Sequence, residues 1–319
     1  MDPDTEIQFE FFPFIRQYKS GRTERFFPID KVPSTVDPVT GVTSKDVVID
    51  PNTGVSARLY LPNLQDTPPK KLPVFVYFHS GGFVIGSAFS PTTHAYLNSL
   101  VAQANVIAVS VDYRLAPEHP LPTAYNDSWA ALKWIASHAP GGGAETWLAE
   151  HGDFQHVYLA GCSAGANIAH HMALRAGAVQ PGAGVRIEGV ILVHPYFWGN
   201  KPFDAETENM QVKKRADWFW TLICPGTVGL ADPLINPVAE AAPSLKGLAC
   251  ERVLVCVAKF DLLRESGTEY YEELKGSGWG GEVELFESEG EGHAFHFRKL
   301  NSEKALELMV RVVAFATGN

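Results

Sequence analysis

Cysteine, basic charge and long apolar runs are scarce in this sequence, and each scarcity removes a class of function. Only four of the 319 residues are cysteine. Cys162, Cys224, Cys250 and Cys256 lack the paired short spacings of a disulfide framework and read as small buried apolar residues in a reducing compartment. Lys and Arg number 26 against 36 Asp and Glu, a formal charge of −10 at pH 7. Such a field repels phosphate backbones, so no nucleic-acid partner is expected. The densest basic clusters, Lys70-Lys71 and Lys213-Lys214-Arg215, are short enough for a solvated face. No stretch reaches about 18 continuous apolar residues, and no membrane partner is expected. The opening Met1-Asp2-Pro3-Asp4 is acidic and lacks the cationic and apolar regions of a secretory signal, which gives the expectation of a soluble, cytoplasmic protein. Neither a metal nor a cofactor is expected. His170 and His171 sit side by side on a helical stretch, facing different directions, with no cysteine grouped beside them, and no glycine-rich phosphate motif occurs.

What remains is ordinary globular material: 45% hydrophobic and 19% charged residues, enough for a sizeable core. Nearly unbroken apolar runs recur at Leu72 to Phe78, Val106 to Val111, Val157 to Ala160, Val190 to Val193 and Val253 to Val257, with a last strand at Val283 to Phe286. Strands buried on both faces read this way. Helical patterns at Thr123 to His138, Ala164 to Ala176 and about Glu303 to Ala316 alternate with them, so the chain is expected to be a single α/β domain over 1–319 built on a mostly parallel sheet flanked by helices. Two segments break the rhythm. Residues 1 to about 45 carry Phe9, Phe11, Phe12 and Phe14 and read either as an arm covering core surface or as a lid over a pocket. Residues 199–245 gather Trp218, Phe219 and Trp220 with Pro225, Pro233, Pro237 and Pro243 and read as an insertion.

Gly161-Cys162-Ser163-Ala164-Gly165 lies between an apolar strand and an alanine-rich helix. This is G-x-S-x-G in the strand, turn, helix setting that exposes a serine nucleophile at the carboxyl end of a strand. A serine hydroxyl needs a base within hydrogen-bond reach and an acid that orients the base. His293, in the glycine-rich loop after the last strand, fits the base better than His296. Asp261, just past the strand Val253 to Val257, fits the acid better than Asp232 in the proline-rich insertion. An oxyanion needs preorganised N–H donors, and Gly81 and Gly82 after the strand Leu72 to Phe78, with Ala164 after the nucleophile, supply three. Phe83, Phe197, Trp198, Trp218 and Phe295, with the amino-terminal phenylalanines, are the candidate pocket walls, and each could equally be core.

These motifs, with Asp112-Tyr113-Arg114-Leu115-Ala116-Pro117-Glu118 and His194-Pro195-Tyr196-Phe197-Trp198, resemble the plant carboxylesterases of the hormone-sensitive-lipase-like branch of the α/β hydrolases. The resemblance spans nearly the whole chain. It implies an eight-stranded sheet, a cap made from the amino-terminal arm and the insertion, no cofactor, and a serine esterase acting on small, apolar or aromatic carboxylic esters. The same branch includes gibberellin receptors that have lost the triad histidine, and members that act as dehydratases or cyclases. Two residues depart from the family pattern. Ser80 stands where a glycine is usual, and Cys162 stands where an aspartate is usual. Oligomeric state and natural substrate are not legible.

Overall fold

The computed structural model describes residues 2–27, 30–64, 71–139, 141–199 and 206–318, the side chains of 206–212 excepted. Met1, Lys70 and residues 200–205 of the expected insertion lie outside the described residues. The strands are β1 (Ile7–Phe11), β2 (Ile15–Tyr18), β3 (Thr23–Arg25), β4 (Thr43–Asp50), β5 (Val55–Leu61), β6 (Leu72–Phe78), β7 (Ile107–Asp112), β8 (Gly152–Cys162), β9 (Ile187–Val193), β10 (Arg252–Ala258) and β11 (Glu282–Ser288). The helices are α1 (Pro91–Ala104), α2 (Thr123–Ala136), α3 (Thr146–His151), α4 (Ala164–Ala178), α5 (Glu206–Ile223), α6 (Arg264–Gly276), α7 (Phe295–Arg298) and α8 (Glu303–Thr317).

Eight strands form one sheet in the order β11-β10-β9-β8-β6-β7-β5-β4. Pairing is antiparallel where β5 meets β4 and β7, and parallel elsewhere. This is the α/β-hydrolase fold, with the mostly parallel sheet that the apolar runs predict. The period-two alternation of β6 shows why those runs are unbroken. Val74, Val76 and Phe78 enter one buried cluster, which includes Trp129 and Leu132 of α2 and Ile168 and Met172 of α4. Phe75 and Tyr77 enter the other, with Leu97 and Val101 of α1 and Leu308 and Val312 of α8. Both faces are covered, so both sets must be apolar.

From β6 the chain crosses to β7 on one side, then returns to lay β8 on the other. In parallel sheets the crevice at the carboxyl ends of such a reversal is where ligands bind. Phe78 and Cys162 end the two strands there.

The residues that break the alternation form two pieces above this crevice. β1, β2 and β3 make a separate antiparallel sheet in that order. The expected arm of about 1–45 runs into the first residues of β4, which already belong to the large sheet. The insertion is mainly the 18-residue helix α5, followed by short 3-10 turns at Gly229–Ala231 and Leu245–Gly247. Phe11 of β1 stacks on Phe219 of α5 with ring centroids 4.1 Å apart, and Phe14 stacks on Phe11 at 5.5 Å.

Candidate active site

The turn between β8 and α4 has little backbone freedom. A Cβ on Gly161 would stand 2.2 Å from the carbonyl carbon of Gly165, and one on Gly165 would stand 1.9 Å from the Phe78 carbonyl oxygen. Only glycine fits at either place, which is the physical content of the G-x-S-x-G spacing. Between them Ser163 takes φ 57° and ψ −118°, a conformation that non-glycine residues rarely adopt. It is held there from both sides. Its N–H donates to the Val193 carbonyl at 2.9 Å, and its carbonyl accepts from the Asn167 and Tyr196 N–H groups. The hydroxyl therefore projects at the amino end of α4.

Asp261 and His293 arrive from the loops after β10 and β11. His293 Nδ1 lies 2.7 Å from Asp261 Oδ2, and His293 Nε2 lies 2.9 Å from Ser163 Oγ. The sequence-predicted serine, histidine and aspartate thus form one hydrogen-bonded chain. Burial pushes the Asp261 carboxyl up, but the hydrogen bond and charge of His293 and the Leu263 N–H outweigh it and leave the carboxyl below its ordinary value. It is an acid held ionised against the ring it orients. His296 and Asp232 sit elsewhere. His296 is buried against Tyr96, Phe297 and His194. Asp232 accepts the Thr227 hydroxyl and the Leu234 N–H within the insertion's own turn.

Opposite the serine, the loop after β6 turns back sharply. Gly81 has φ +124°, and a Cβ there would stand 2.0 Å from the Ile85 carbonyl oxygen. Gly82 and Phe83 follow with positive φ. The Val84 and Ile85 N–H groups both donate to the Gly81 carbonyl. Among the described residues no carbonyl accepts the N–H of Gly81, Gly82 or Ala164. Ser80 is not among the positive-φ residues, so serine in place of glycine brings no backbone strain.

A cavity of about 630 Å³ opens over this chain. Its floor holds Ser80, Gly81, Gly82, Ser163, Asp261 and His293, and its walls include Tyr196, Trp198, Phe260 and Leu263. Phe11, Phe14 and Phe27 of the arm and Arg215, Ala216 and Phe219 of α5 roof it. Of the five pocket residues named from the sequence, Trp198 alone lines this cavity. Phe83, with φ 65°, is fully buried behind the turn against Tyr125, Tyr196 and Trp220. Phe197 packs on His170 and Tyr270. Phe295 is core beside His194. Trp218 lies on the outer side of the stack, edge-on to Phe9 and 41% exposed. Their places are taken by Tyr196, Phe219, Phe260 and Leu263. Tyr196 and Phe219 each neighbour a named aromatic: Tyr196 and Phe197 lie in the loop after β9, and Trp218 and Phe219 are consecutive on α5, where helix phase turns Phe219 to the cavity.

His170 is buried and His171 half-buried, with rings 4.8 Å apart, and they bond Tyr270 and the Leu234 carbonyl respectively. A different trio converges beneath the serine. Cys162, His194 and His296 bring potential ligand atoms within 4.8 Å of one another, all buried. His194 Nδ1 accepts the Ala294 N–H at 3.1 Å, which puts the ring proton on Nε2 and leaves that nitrogen without a lone pair for an ion. The donor set is short of one ligand. Burial raises the Cys162 thiol well above its ordinary value, so it stays neutral beside Ser163.

A family model described as the alpha/beta hydrolase fold matches residues 75–297. A Tulipa gesneriana protein named tuliposide A-converting enzyme 2, chloroplastic, is 50% identical over 315 residues, covering 99% of this chain and 80% of that protein. Another tulip protein, tuliposide A-converting enzyme b3, amyloplastic, is 48% identical over 316 residues, covering 99% and 81%. Probable carboxylesterase 13 of Arabidopsis thaliana is 47% identical over 327 residues and is covered, like this chain, to 99%. Among solved structures, the thermostable carboxylesterase EstE1 from a metagenomic library matches with a TM-score of 0.69 at 27% identity, over 90% of each chain. The chloroplastic and amyloplastic relatives overturn the cytoplasmic expectation, which rested on the lack of a signal at the first few residues and on thiols that a plastid also keeps reduced.

Proposed function

This chain belongs to the α/β-hydrolase fold family, among its plant carboxylesterases, and from that premise we propose that it cleaves small apolar esters through an acyl-enzyme on Ser163. One observation carries the reading: Ser163, His293 and Asp261 stand in a single hydrogen-bonded line on the floor of an aromatic cavity. His293 Nε2 takes the hydroxyl proton as Ser163 Oγ attacks the ester carbonyl, while Asp261 holds Nδ1–H and favours the imidazolium that forms. The N–H groups of Gly81, Gly82 and Ala164 receive the oxyanion. His293 then returns the proton to the leaving alcohol, and the same groups run in reverse with water to release the acid.

A second reading keeps the acyl-enzyme and changes its ending. An acyl group that carries its own hydroxyl closes on itself, and a lactone leaves instead of an acid. The tulip relatives, named as converting rather than hydrolysing enzymes, favour it. Their plastid addresses support a plastid as the compartment. The test is turnover of p-nitrophenyl esters from acetate to octanoate beside a Ser163→Ala control, with product analysis on hydroxyacyl esters. Acid and alcohol in equal amounts support hydrolysis, and lactone supports the second ending. Turnover that survives in Ser163→Ala removes both.

A further inference from the structure

The roof of the cavity carries a charge that ester chemistry does not use. Of the side chains lining the cavity, Arg215 alone bears a fixed positive charge. It stands on α5, whereas the hydroxyl, imidazole and carboxylate of the proposed reaction lie on the floor. Its guanidinium carbon is 4.7 Å from the centroid of the Phe11 ring. One nitrogen donates to the Phe12 carbonyl. The head group is therefore anchored by two parts of the arm and not left to wander. Among the described residues no carboxylate pairs with it: Asp261, the acid of the cavity, is 2.7 Å from His293 and almost wholly buried. A guanidinium offers five N–H donors in a planar fork, and a single carbonyl uses one. Arg215 is an exposed residue at the edge of the cavity that it helps to line, so the donors not used on Phe12 are open to solvent and to a ligand there.

We propose that Arg215 forms an anion-recognition subsite, and that the protein prefers esters carrying a carboxylate, or a comparable anionic group, remote from the bond cleaved. The inference rests on the proposed esterase reading of the floor. With the carbonyl seated at Gly81, Gly82 and Ala164, a substrate with one apolar body and one terminal carboxylate meets aromatic rings along its length and the guanidinium fork at its end. Fork-to-carboxylate pairing is bidentate, and because Arg215 is exposed the pair is screened by solvent and sensitive to salt. The protein's charge of −10 disfavours anions in general, so any preference for them is local to the cavity.

The test compares mono-p-nitrophenyl adipate with p-nitrophenyl hexanoate, two six-carbon acyl groups that differ by a terminal carboxylate. The readout is the ratio of their kcat/KM values in the wild type, Arg215→Leu and Arg215→Lys. The expected ratio drops at least tenfold in Arg215→Leu whatever happens to hexanoate, is intermediate in Arg215→Lys, and falls with added salt in the wild type but not in Arg215→Leu. An unchanged ratio in Arg215→Leu overturns the proposal. Binding of monomethyl adipate and methyl hexanoate to Ser163→Ala, measured by calorimetry with and without Arg215→Leu, reads the subsite without turnover. A tenfold loss of adipate affinity on removing Arg215 upholds the subsite even where the hydrolysis reading fails. Equal affinities refute it even where hydrolysis is established.

Discussion

The floor and the roof of the cavity are built by opposite rules. On the floor, backbone meets backbone: Gly165 lies where any Cβ would strike the Phe78 carbonyl, Gly161 faces Gly165, and Ser163 is pinned by three main-chain hydrogen bonds. On the roof, side chain meets side chain: Phe11 stacks on Phe219, Phe14 on Phe11, and Arg215 caps Phe11. Contacts of the first kind tolerate no substitution because close-packed backbone cannot move aside. Contacts of the second kind can be rebuilt with other apolar side chains. On the proposed reading the floor fixes the acyl-transfer step, and the roof is where substrate preference is free to change.

The largest effect expected from this contrast is at Gly165. Gly165→Ala places a methyl group 1.9 Å from the Phe78 oxygen, and separating β6 from α4 should cost about 3 kcal/mol or more. Denaturant unfolding checks it, and a loss below about 1 kcal/mol would mean that the floor yields after all. Next come the reacting groups. Ser163→Ala should lower kcat by about 10⁴-fold or more and Asp261→Asn by about 10³-fold or more, both with native circular dichroism, since each removes a member of one hydrogen-bonded unit.

Much of the floor is legible in the amino-acid sequence, and the roof hardly at all. Gly161, Ser163 and Gly165 announce themselves because steric exclusion leaves one residue type per position, and Asp261 and His293 follow because each must stand just beyond a strand end. Strand β6 (Leu72–Phe78) and helix α4 (Ala164–Ala178) carry periodic patterns set by two-sided burial. β1 does alternate apolar and polar residues, Ile7-Gln8-Phe9-Glu10-Phe11, but β2 and β3 are short, largely polar and mostly half-exposed, so the small sheet leaves no continuous pattern. β4 and β5 are obscured for a different reason. β4 is an edge strand whose polar residues hide its alternation, and Arg58 of β5 is buried by its pairing with Asp46. Which aromatic of each neighbouring pair faces the cavity depends on helix phase at Phe219 and on loop conformation at Tyr196 and Phe83, neither of which the residue types announce.

A smaller effect sharpens the contrast from the roof. Phe11→Ala should raise KM for the longer acyl esters by about tenfold and leave acetate nearly unaffected, because an aromatic wall contributes in proportion to the apolar area it covers. Steady-state kinetics across the chain-length series decides it. An equal loss on acetate and octanoate would place Phe11 in the reaction and blur the two regions.

The pH response belongs to the body of the molecule, since neither the arm nor α5 contains histidine. Burial lowers the pKa of His170 and His194 well below the ordinary value, of His171 to about 4 and of His296 to about 3. The unfolded chain protonates these rings below about pH 6.5 while the folded chain does not. Stability should therefore be full above pH 6.5 and decline toward pH 4, each ring adding a slope of up to about 1.4 kcal/mol per pH unit. Asp261 acts at lower pH, where its depressed carboxyl loses its advantage on protonation. Thermal melts between pH 8 and 4.5 check this, and a flat profile would contradict the buried neutral rings.

Covalent capture tests whether Ser163 is the activated nucleophile that the proposed function requires. A fluorophosphonate ester, which reports an activated serine through a stable adduct, is incubated with the wild type and with Ser163→Ala, and the labelled peptide is identified by mass spectrometry. One adduct per chain is expected, on the peptide that contains Ser163, formed far more slowly in His293→Gln and absent from Ser163→Ala. No adduct on folded wild type, or an adduct that persists in Ser163→Ala, would contradict it.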